Sequence, residues 1–114
     1  MTEEDSLAGS LLAEIQARIK VRRYRLTSHA EGEREADQIT IAELEEALLS
    51  PLCEVIEDYA QVPRGRSCLV LGFTRVGEPI HVVSGLARGE ELAFITVYRP
   101  DPGQWQDWRL RKTQ

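Results

Sequence analysis

The chain has 114 residues, of which 42% are hydrophobic and 29% charged, enough for one compact domain over residues 1–114. Its net charge of −5 argues against general affinity for nucleic acid, and no apolar run approaches the roughly 20 residues that a membrane span needs. The acidic N-terminus lacks the basic-then-apolar order of a signal peptide, so we expect a cytoplasmic protein without membrane contacts.

The charge is unevenly distributed along the chain. Residues 1–63 carry −8 and residues 64–114 carry +3, which leaves room for a local basic site in the C-terminal half. Cys53 and Cys68 lie in apolar, strand-like runs and predict buried free thiols rather than a disulfide. With two cysteines and two histidines, the sequence predicts no metal and no cofactor.

Helical signals come first along the chain. Leucine and isoleucine recur every three or four residues, which predicts an N-terminal helix over residues 5–20. Basic and apolar residues then alternate up to Leu26, which favours a short extended segment or edge strand. Ser28 with Glu31, and Thr40 with Glu43, form two candidate capping boxes and predict two further helices.

Four strands follow, separated by short polar turns that contain glycine. Connections of this length make consecutive strands antiparallel. The predicted fold is therefore α+β, with N-terminal helices packed on one face of a four-stranded antiparallel meander sheet. The predicted strands are Cys53–Tyr59, Ser67–Phe73, Pro79–Leu86 and Leu92–Tyr98.

Strand alternation predicts which side chains share a sheet face. If Ile95 and Val97 face the helices, then Phe94 and Tyr98 point to the other face, where His81 joins them. That face would be partly polar and would not be covered by the helices. The alternative is that His81 and Tyr98 only pack, which is the commoner role of such residues. Trp105 and Trp108 stand three apart, at helical spacing, and are expected to cap the sheet end.

Residues 28–111 also carry a series of short motifs in a fixed order. This combination resembles the family of domains of unknown function numbered 4258 (DUF4258). The motifs are His29-Ala30, Glu33-Arg34, Asp37, Ile39-Thr40, Glu57-Asp58-Tyr59, residues 64–72, residues 79–83, residues 95–101 and Trp105.

The resemblance implies a fold related to small ribonuclease toxins of toxin–antitoxin pairs. A metal-independent messenger-RNA endonuclease needs acid–base groups at the 2′-hydroxyl and the leaving oxygen, and cations at the phosphate. The resemblance implies an antitoxin protein and RNA as partners. The candidate catalytic residues are His81, His29 and Tyr98, and the candidate substrate-binding residues are Arg34, Arg66 and Arg99.

Two other functions fit the same sequence. One is a non-catalytic protein-interaction module, either homodimeric or bound to a small regulatory partner, and the other is a small-molecule enzyme. A basic patch that unites His81, Tyr98 and the arginines would favour the nuclease. A flat apolar patch would favour the interaction module, and a deep pocket with a perturbed titratable group would favour the enzyme.

Overall fold

The structure is a computed structural model that describes residues 3–59, 66–86 and 91–113, with side chains from residue 11 onward. It confirms a mixed α+β architecture with the helices at the N-terminal end. Every predicted strand lies within one residue of its predicted bounds. The elements are α1 (Glu3–Lys20), β1 (Tyr24–Leu26), α2 (Ser28–Ala36), α3 (Ile41–Leu48), β2 (Glu54–Tyr59), β3 (Arg66–Phe73), β4 (Pro79–Leu86), β5 (Leu92–Tyr98), β6 (Trp105–Gln106) and β7 (Leu110–Arg111).

The main sheet has five strands in the order β1-β5-β4-β3-β2, and not the four that the sequence predicted. Strands β2 to β5 form the expected antiparallel meander, but β1 pairs with β5 in parallel, so the sheet is mixed. A parallel pair requires a long connection between its strands. Here that connection contains two helices and three strands, and no local signal in the short β1 segment indicated its partner.

Helices α2 and α3 each begin after a threonine whose side chain caps the helix, and the cap of α2 lies one residue earlier than predicted. Thr40 forms the predicted capping box with Glu43 at the start of α3. In α2 the cap is Thr27 and not Ser28, because the Thr27 hydroxyl accepts from the Ala30 amide. The Thr27 amide also donates to the carbonyl of Phe94, which holds Thr27 extended and makes Ser28 the first helical residue.

One sheet face packs against the helices and forms the apolar core. Val82 and Val97 lie in this core as predicted, but Phe94 joins them, and the neighbouring Ile95 is exposed. The cause is a register shift between β4 and β5 next to Val83, which breaks the strict alternation. The prediction that Ile95 faces the helices and Phe94 the other side was therefore wrong.

The other sheet face, called the second face below, is not free. The two-stranded sheet of β6 and β7, called the hairpin (residues 105–111), lies over it and buries Trp105. The predicted helical spacing of Trp105 and Trp108 is wrong, because Asp107 and Trp108 both have positive φ and form a tight turn. A positive φ is uncommon for a residue as large as tryptophan.

The remaining turn and cysteine predictions have different outcomes. The turn at residues 75–78 is confirmed, with Gly77 at φ +84°. Of the loop predicted at residues 60–66, Arg66 is the first residue of β3, and residues 60–65 lie outside the described residues, as does the turn predicted at residues 87–90. Cys53 and Cys68 are buried free thiols, and burial raises the pKa of each to about 12.

Candidate functional site

His81 lies on the second face in β4 and is completely buried beneath the hairpin. Its Nε2 is 2.8 Å from the main-chain carbonyl oxygen of Trp108, and its Nδ1 is 3.1 Å from the hydroxyl oxygen of Tyr98. A carbonyl oxygen only accepts, so the network assigns the proton to Nε2, and Nδ1 then accepts from the Tyr98 hydroxyl. Burial lowers the pKa of His81, which favours this neutral form, and both nitrogens are hydrogen-bonded within the protein.

The titration behaviour of this pair follows from burial. Burial lowers the pKa of His81, and the Trp108 carbonyl and the negative charge of Glu57 offset part of that effect. Burial also raises the pKa of Tyr98 to about 12. A general acid or base works best with a pKa near the working pH, and both shifts move away from neutrality. The shifts fit a structural hydrogen-bonded pair.

Trp105 and Arg111 connect His81 to the surface. The Trp105 ring meets the His81 ring edge-on, with centroids 4.5 Å apart. The guanidinium carbon of Arg111 lies 4.7 Å from the centroid of the Trp105 ring, within cation–π distance. Because the Arg111 side chain is 63% exposed, the buried histidine lies beneath a cationic group that water can reach.

Glu57 and Tyr59 of β2 hold Arg111 in place. Arg111 donates from Nε (2.8 Å) and Nη2 (3.0 Å) to the two carboxylate oxygens of Glu57, and the Tyr59 hydroxyl donates to the same carboxylate. The bond from Arg111 holds the pKa of Glu57 below its ordinary value, and it raises the pKa of Arg111. Burial, and then the bond to Glu57, raises the pKa of Tyr59.

The structure brings two of the three predicted catalytic residues together. His81 and Tyr98 are neighbours across β4 and β5, as the alternation of side chains near Tyr98 predicted. His29 lies elsewhere, in the first turn of α2, where its side chain is 68% exposed. Its Nε2 is 3.2 Å from Glu33, and none of its described contacts reaches His81.

Two of the predicted phosphate-binding arginines are bound to neighbouring groups. Arg34 donates from Nη1 to the carbonyl of Ile39 (2.8 Å) and pairs with Glu31, which closes the connection between α2 and α3. Arg66 pairs with Asp58 across β2 and β3 at 2.5 Å, and that bond raises the pKa of Arg66. Both guanidinium groups therefore serve the fold.

Arg99 is the most extensively bonded of the three. Its Nε donates to the Asp37 carbonyl (3.0 Å), and its Nη1 donates to the Glu78 carboxylate (2.9 Å). Its Nη2 donates to the Gln38 carbonyl (3.3 Å) and to the Glu43 carboxylate (3.4 Å). A guanidinium has five N–H groups, so these bonds leave one for a ligand.

Arg99 lines an open depression of about 440 Å³ at the end of the sheet, called the Arg99 depression below. Four segments meet here: the end of α2, the turn before β4, the residues that follow β5 and the tip of the hairpin. Trp108 contributes the hairpin side, so the residue whose carbonyl binds His81 also borders this surface. The lining residues are Asp37, Gln38, Glu78, Pro79, Arg99, Pro100 and Trp108.

The acidic motif residues of α2 and its C-cap satisfy the edge of β5. The Glu33 carboxylate accepts from the Val97 amide (3.1 Å), and the Asp37 carboxylate accepts from the Arg99 amide (2.8 Å). Strand β1 pairs only with residues 92–94 of β5, so these amides would otherwise lack a partner on this edge. The two carboxylates therefore act structurally.

Sequence reasoning missed the charged part of the second face. Glu57 was recognised only as part of a motif, although the spacing of two between Glu57 and Tyr59 was an available signal that they share a face. Arg111 gave no such signal. Arg111 follows the last predicted strand, so strand alternation could not predict which sheet face it approaches. Its ion pair with Glu57 forms only because the hairpin folds over that face.

Neither a metal site nor a membrane-spanning helix is found within the described ranges. Among those residues, no three histidine, cysteine, aspartate or glutamate side chains converge in a way that could hold a metal ion. No described helix is both long enough and apolar enough to cross a membrane. The two regions considered further are therefore the Arg99 depression and the group of residues around His81, which comprises Tyr98, Trp105, Glu57 and Arg111.

Comparison with known proteins gives one match. A family model described as Domain of unknown function (DUF4258) matches residues 26–99. The matched region contains His81, Tyr98 and Arg99, and it ends before the hairpin that supplies Trp105, Trp108 and Arg111. Neither the curated proteins nor the solved structures that were searched include a match.

Proposed function

The chain belongs to the DUF4258 family, and we propose that it acts as a non-catalytic protein-interaction module, either homodimeric or bound to a small regulatory protein. The observation that carries this proposal is the environment of His81. The ring is completely buried, and both of its nitrogens are hydrogen-bonded within the protein. A general base must reach the proton that it removes, and His81 offers no free nitrogen for that task.

The charge distribution also favours a protein partner over RNA. A phosphate bound by Arg34, Arg66 or Arg99 would have to compete with the carboxylate already paired with that arginine. The net charge of −5 would further weaken binding to a polyanion. An acidic surface with internally paired arginines suits a protein that carries basic groups of its own.

Several exposed apolar side chains are available for contact with a partner. Ile41 and Leu49 lie eight residues apart at the two ends of α3, and Leu52 follows shortly after the helix. Spacings of three and four place side chains on one side of a helix, so Ile41 and Leu49 lie on similar sides. Val76 projects from the turn before β4 and is 80% exposed.

The test combines mass measurement with an RNA assay. We expect light scattering of the protein, purified from its native cell, to show a complex of fixed stoichiometry. We also expect no cleavage of messenger RNA by the purified chain. A chain that is monomeric at all concentrations, and that cross-links to no protein in a fixed ratio, would contradict the proposal.

A metal-independent messenger-RNA endonuclease toxin, with a toxin-like fold and an antitoxin partner, is the second candidate. The observation that favours it is the 3.1 Å contact between His81 and Tyr98, close to the exposed Arg111. This role requires the Trp108 carbonyl to release His81. Growth arrest and RNA cleavage that disappear in Tyr98→Phe, with an unchanged melting temperature, would favour this candidate. We propose the cytoplasm as the location for either role.

A further inference from the structure

The interaction role does not specify what the partner presents, and the Arg99 depression suggests an answer. We propose that the Arg99 depression receives an arginine side chain of a protein partner. The inference rests on the proposed interaction role and adds to it the recognised group. Three properties of the depression carry it: its charge balance, its unused acceptor oxygens and its apolar wall.

The charge balance around Arg99 is negative. Two carboxylates, those of Asp37 and Glu78, line the depression beside the Arg99 guanidinium, and that guanidinium also pairs with Glu43, which is not among the lining residues. A second cation entering the depression would therefore meet an excess of one negative charge in the lining. An anion would meet the two carboxylates of the lining and an arginine with most of its donors engaged, so the depression favours a cationic ligand.

Unused acceptor oxygens make the selection more specific. Arg99 takes one oxygen from Asp37 (Oδ2) and one from Glu78 (Oε2). Within the described part of the chain, the other oxygen of each carboxylate has no hydrogen-bond partner. A guanidinium donates from a planar fork that matches carboxylate oxygens, whereas an ammonium is a compact point charge. We therefore assign arginine rather than lysine.

The apolar wall suits the rest of an arginine side chain. Trp108, Pro79 and Pro100 line the depression beside the acidic groups. A guanidinium stacks well on an indole, and the three-carbon stem of arginine packs on apolar surface. Because His81 binds the Trp108 carbonyl, the main chain that carries the indole is held in place before the ligand arrives, which reduces the ordering cost of binding.

The size of the depression also limits the ligand. At about 440 Å³ it lies near the lower end of the roughly 300–1,000 Å³ typical of ligand pockets. The depression is open on one side, so a side chain that projects from a protein surface can enter it. This geometry fits a single arginine within a larger interface.

An NMR titration of the ¹⁵N-labelled full chain tests the proposal with a defined probe. We expect N-acetyl-arginine methylamide to shift the Trp108 indole signal and the Gln38 amide, with an affinity of about 1 mM. The citrulline analogue has the same shape but no charge, and it should bind at least about tenfold more weakly. Equal binding of the lysine analogue would overturn the arginine assignment.

Matched variants link the signal to the depression. Glu78→Gln should weaken binding of the arginine probe by about tenfold. The control is Glu14→Gln, because Glu14 also pairs with an arginine and its exposure of 53% matches the 54% of Glu78. Trp108→Leu keeps an apolar wall without the indole and should also weaken binding, while retained spectral dispersion shows that the variant is folded.

The possible outcomes separate the two proposals. No shift with arginine, tighter binding of inorganic phosphate, or equal effects of Glu78→Gln and Glu14→Gln would each overturn the inference. If light scattering still shows a complex of fixed stoichiometry, the interaction role survives and the arginine assignment alone fails. If the protein binds arginine but remains alone in its native cell, the interaction role fails, and the protein partner is removed from the inference with it.

Discussion

The two faces of the main sheet are stabilised by different physics. The helix-facing side is an apolar core built from aliphatic residues and Phe94, whose contribution depends on area removed from water. The second face, under the hairpin, is built around His81, with an aromatic ring, hydroxyl groups and an ion pair at defined distances. The stability of the helix-facing core depends mainly on buried apolar area, and that of the second face depends on donors, acceptors and protonation.

This difference explains where candidate sites can lie. Hydrophobic burial is non-directional, so the helix-facing core stabilises the fold but offers no chemistry. Directional bonds fix the hairpin relative to β4, and through Trp108 they also form one wall of the Arg99 depression. Both candidate surfaces are therefore coupled to one buried histidine.

The largest expected effect tests the helix-facing core. Phe94→Ala should destabilise the protein by about 3–5 kcal/mol, because a completely buried ring would be replaced by a cavity. The matched control is Ile95→Ala, one residue along β5, which should cost less than about 1 kcal/mol because Ile95 is exposed. Urea unfolding measures both. If Ile95→Ala lost more unfolding free energy than Phe94→Ala, the side chains of β5 would alternate strictly and the register shift would be absent.

The second prediction concerns the hairpin side. His81→Phe keeps an aromatic ring beneath Trp105 but removes both nitrogens, which leaves the Trp108 carbonyl and the Tyr98 hydroxyl without their partner. We expect a loss of about 1–3 kcal/mol in unfolding free energy. Hydrogen exchange should show the greatest loss of protection in the hairpin amides. A uniform loss of protection across the sheet, or no loss, would contradict the prediction that His81 holds the hairpin locally.

Sequence patterns identified much of the fold because the turns were informative. Gly77 and the short polar segments placed the strand ends, and Thr40 with Glu43 placed α3. The parallel β1–β5 pair was missed because it is a tertiary contact with no local signature. The register shift near Val83 was missed because it adds a single residue that does not alter composition or length.

The candidate site was predictable only in part, for a related reason. His81 and Tyr98 come from adjacent strands, so alternation could bring them together. The hairpin could not be anticipated, since two tryptophans three apart fit a helix as well as a tight turn. Without the hairpin, the sequence could not show that the second face is covered or that Arg111 pairs with Glu57.

The third prediction follows from the lowered pKa of His81. The unfolded chain has an ordinary histidine pKa of about 6.5. Between that value and the lower folded pKa, the unfolded chain binds a proton that the folded protein does not. The unfolding free energy should therefore decrease as the pH falls below about 6.5, and the decrease should stop below the folded pKa.

A non-titrating variant isolates this contribution. The charged and titratable groups facing His81 are Tyr98, Glu57 and Arg111. His81→Gln should flatten the decrease that begins near pH 6.5 and retain a separate loss below about pH 4.5, where Glu57 is protonated in the unfolded chain before the folded protein. Urea unfolding across this pH range measures both slopes. A His81→Gln slope identical to that of the wild type would remove His81 as the cause.

The smallest expected effect tests the hydrogen bonds by which Thr27 attaches the start of α2 to β5. Thr27→Ala removes the acceptor for the Ala30 amide and the donor to the Ile95 carbonyl, each at 3.1 Å, and should cost about 1 kcal/mol. Ser28→Ala changes the adjacent exposed hydroxyl, which does not cap α2, and should stay within about 0.5 kcal/mol. Thr40→Ala, at the confirmed capping box, gives a reference loss of about 1 kcal/mol. Thermal unfolding compares all three variants. If Ser28→Ala lost as much unfolding free energy as Thr27→Ala, α2 would begin one residue later, and Thr27 would no longer link the helix to β5 at the register shift.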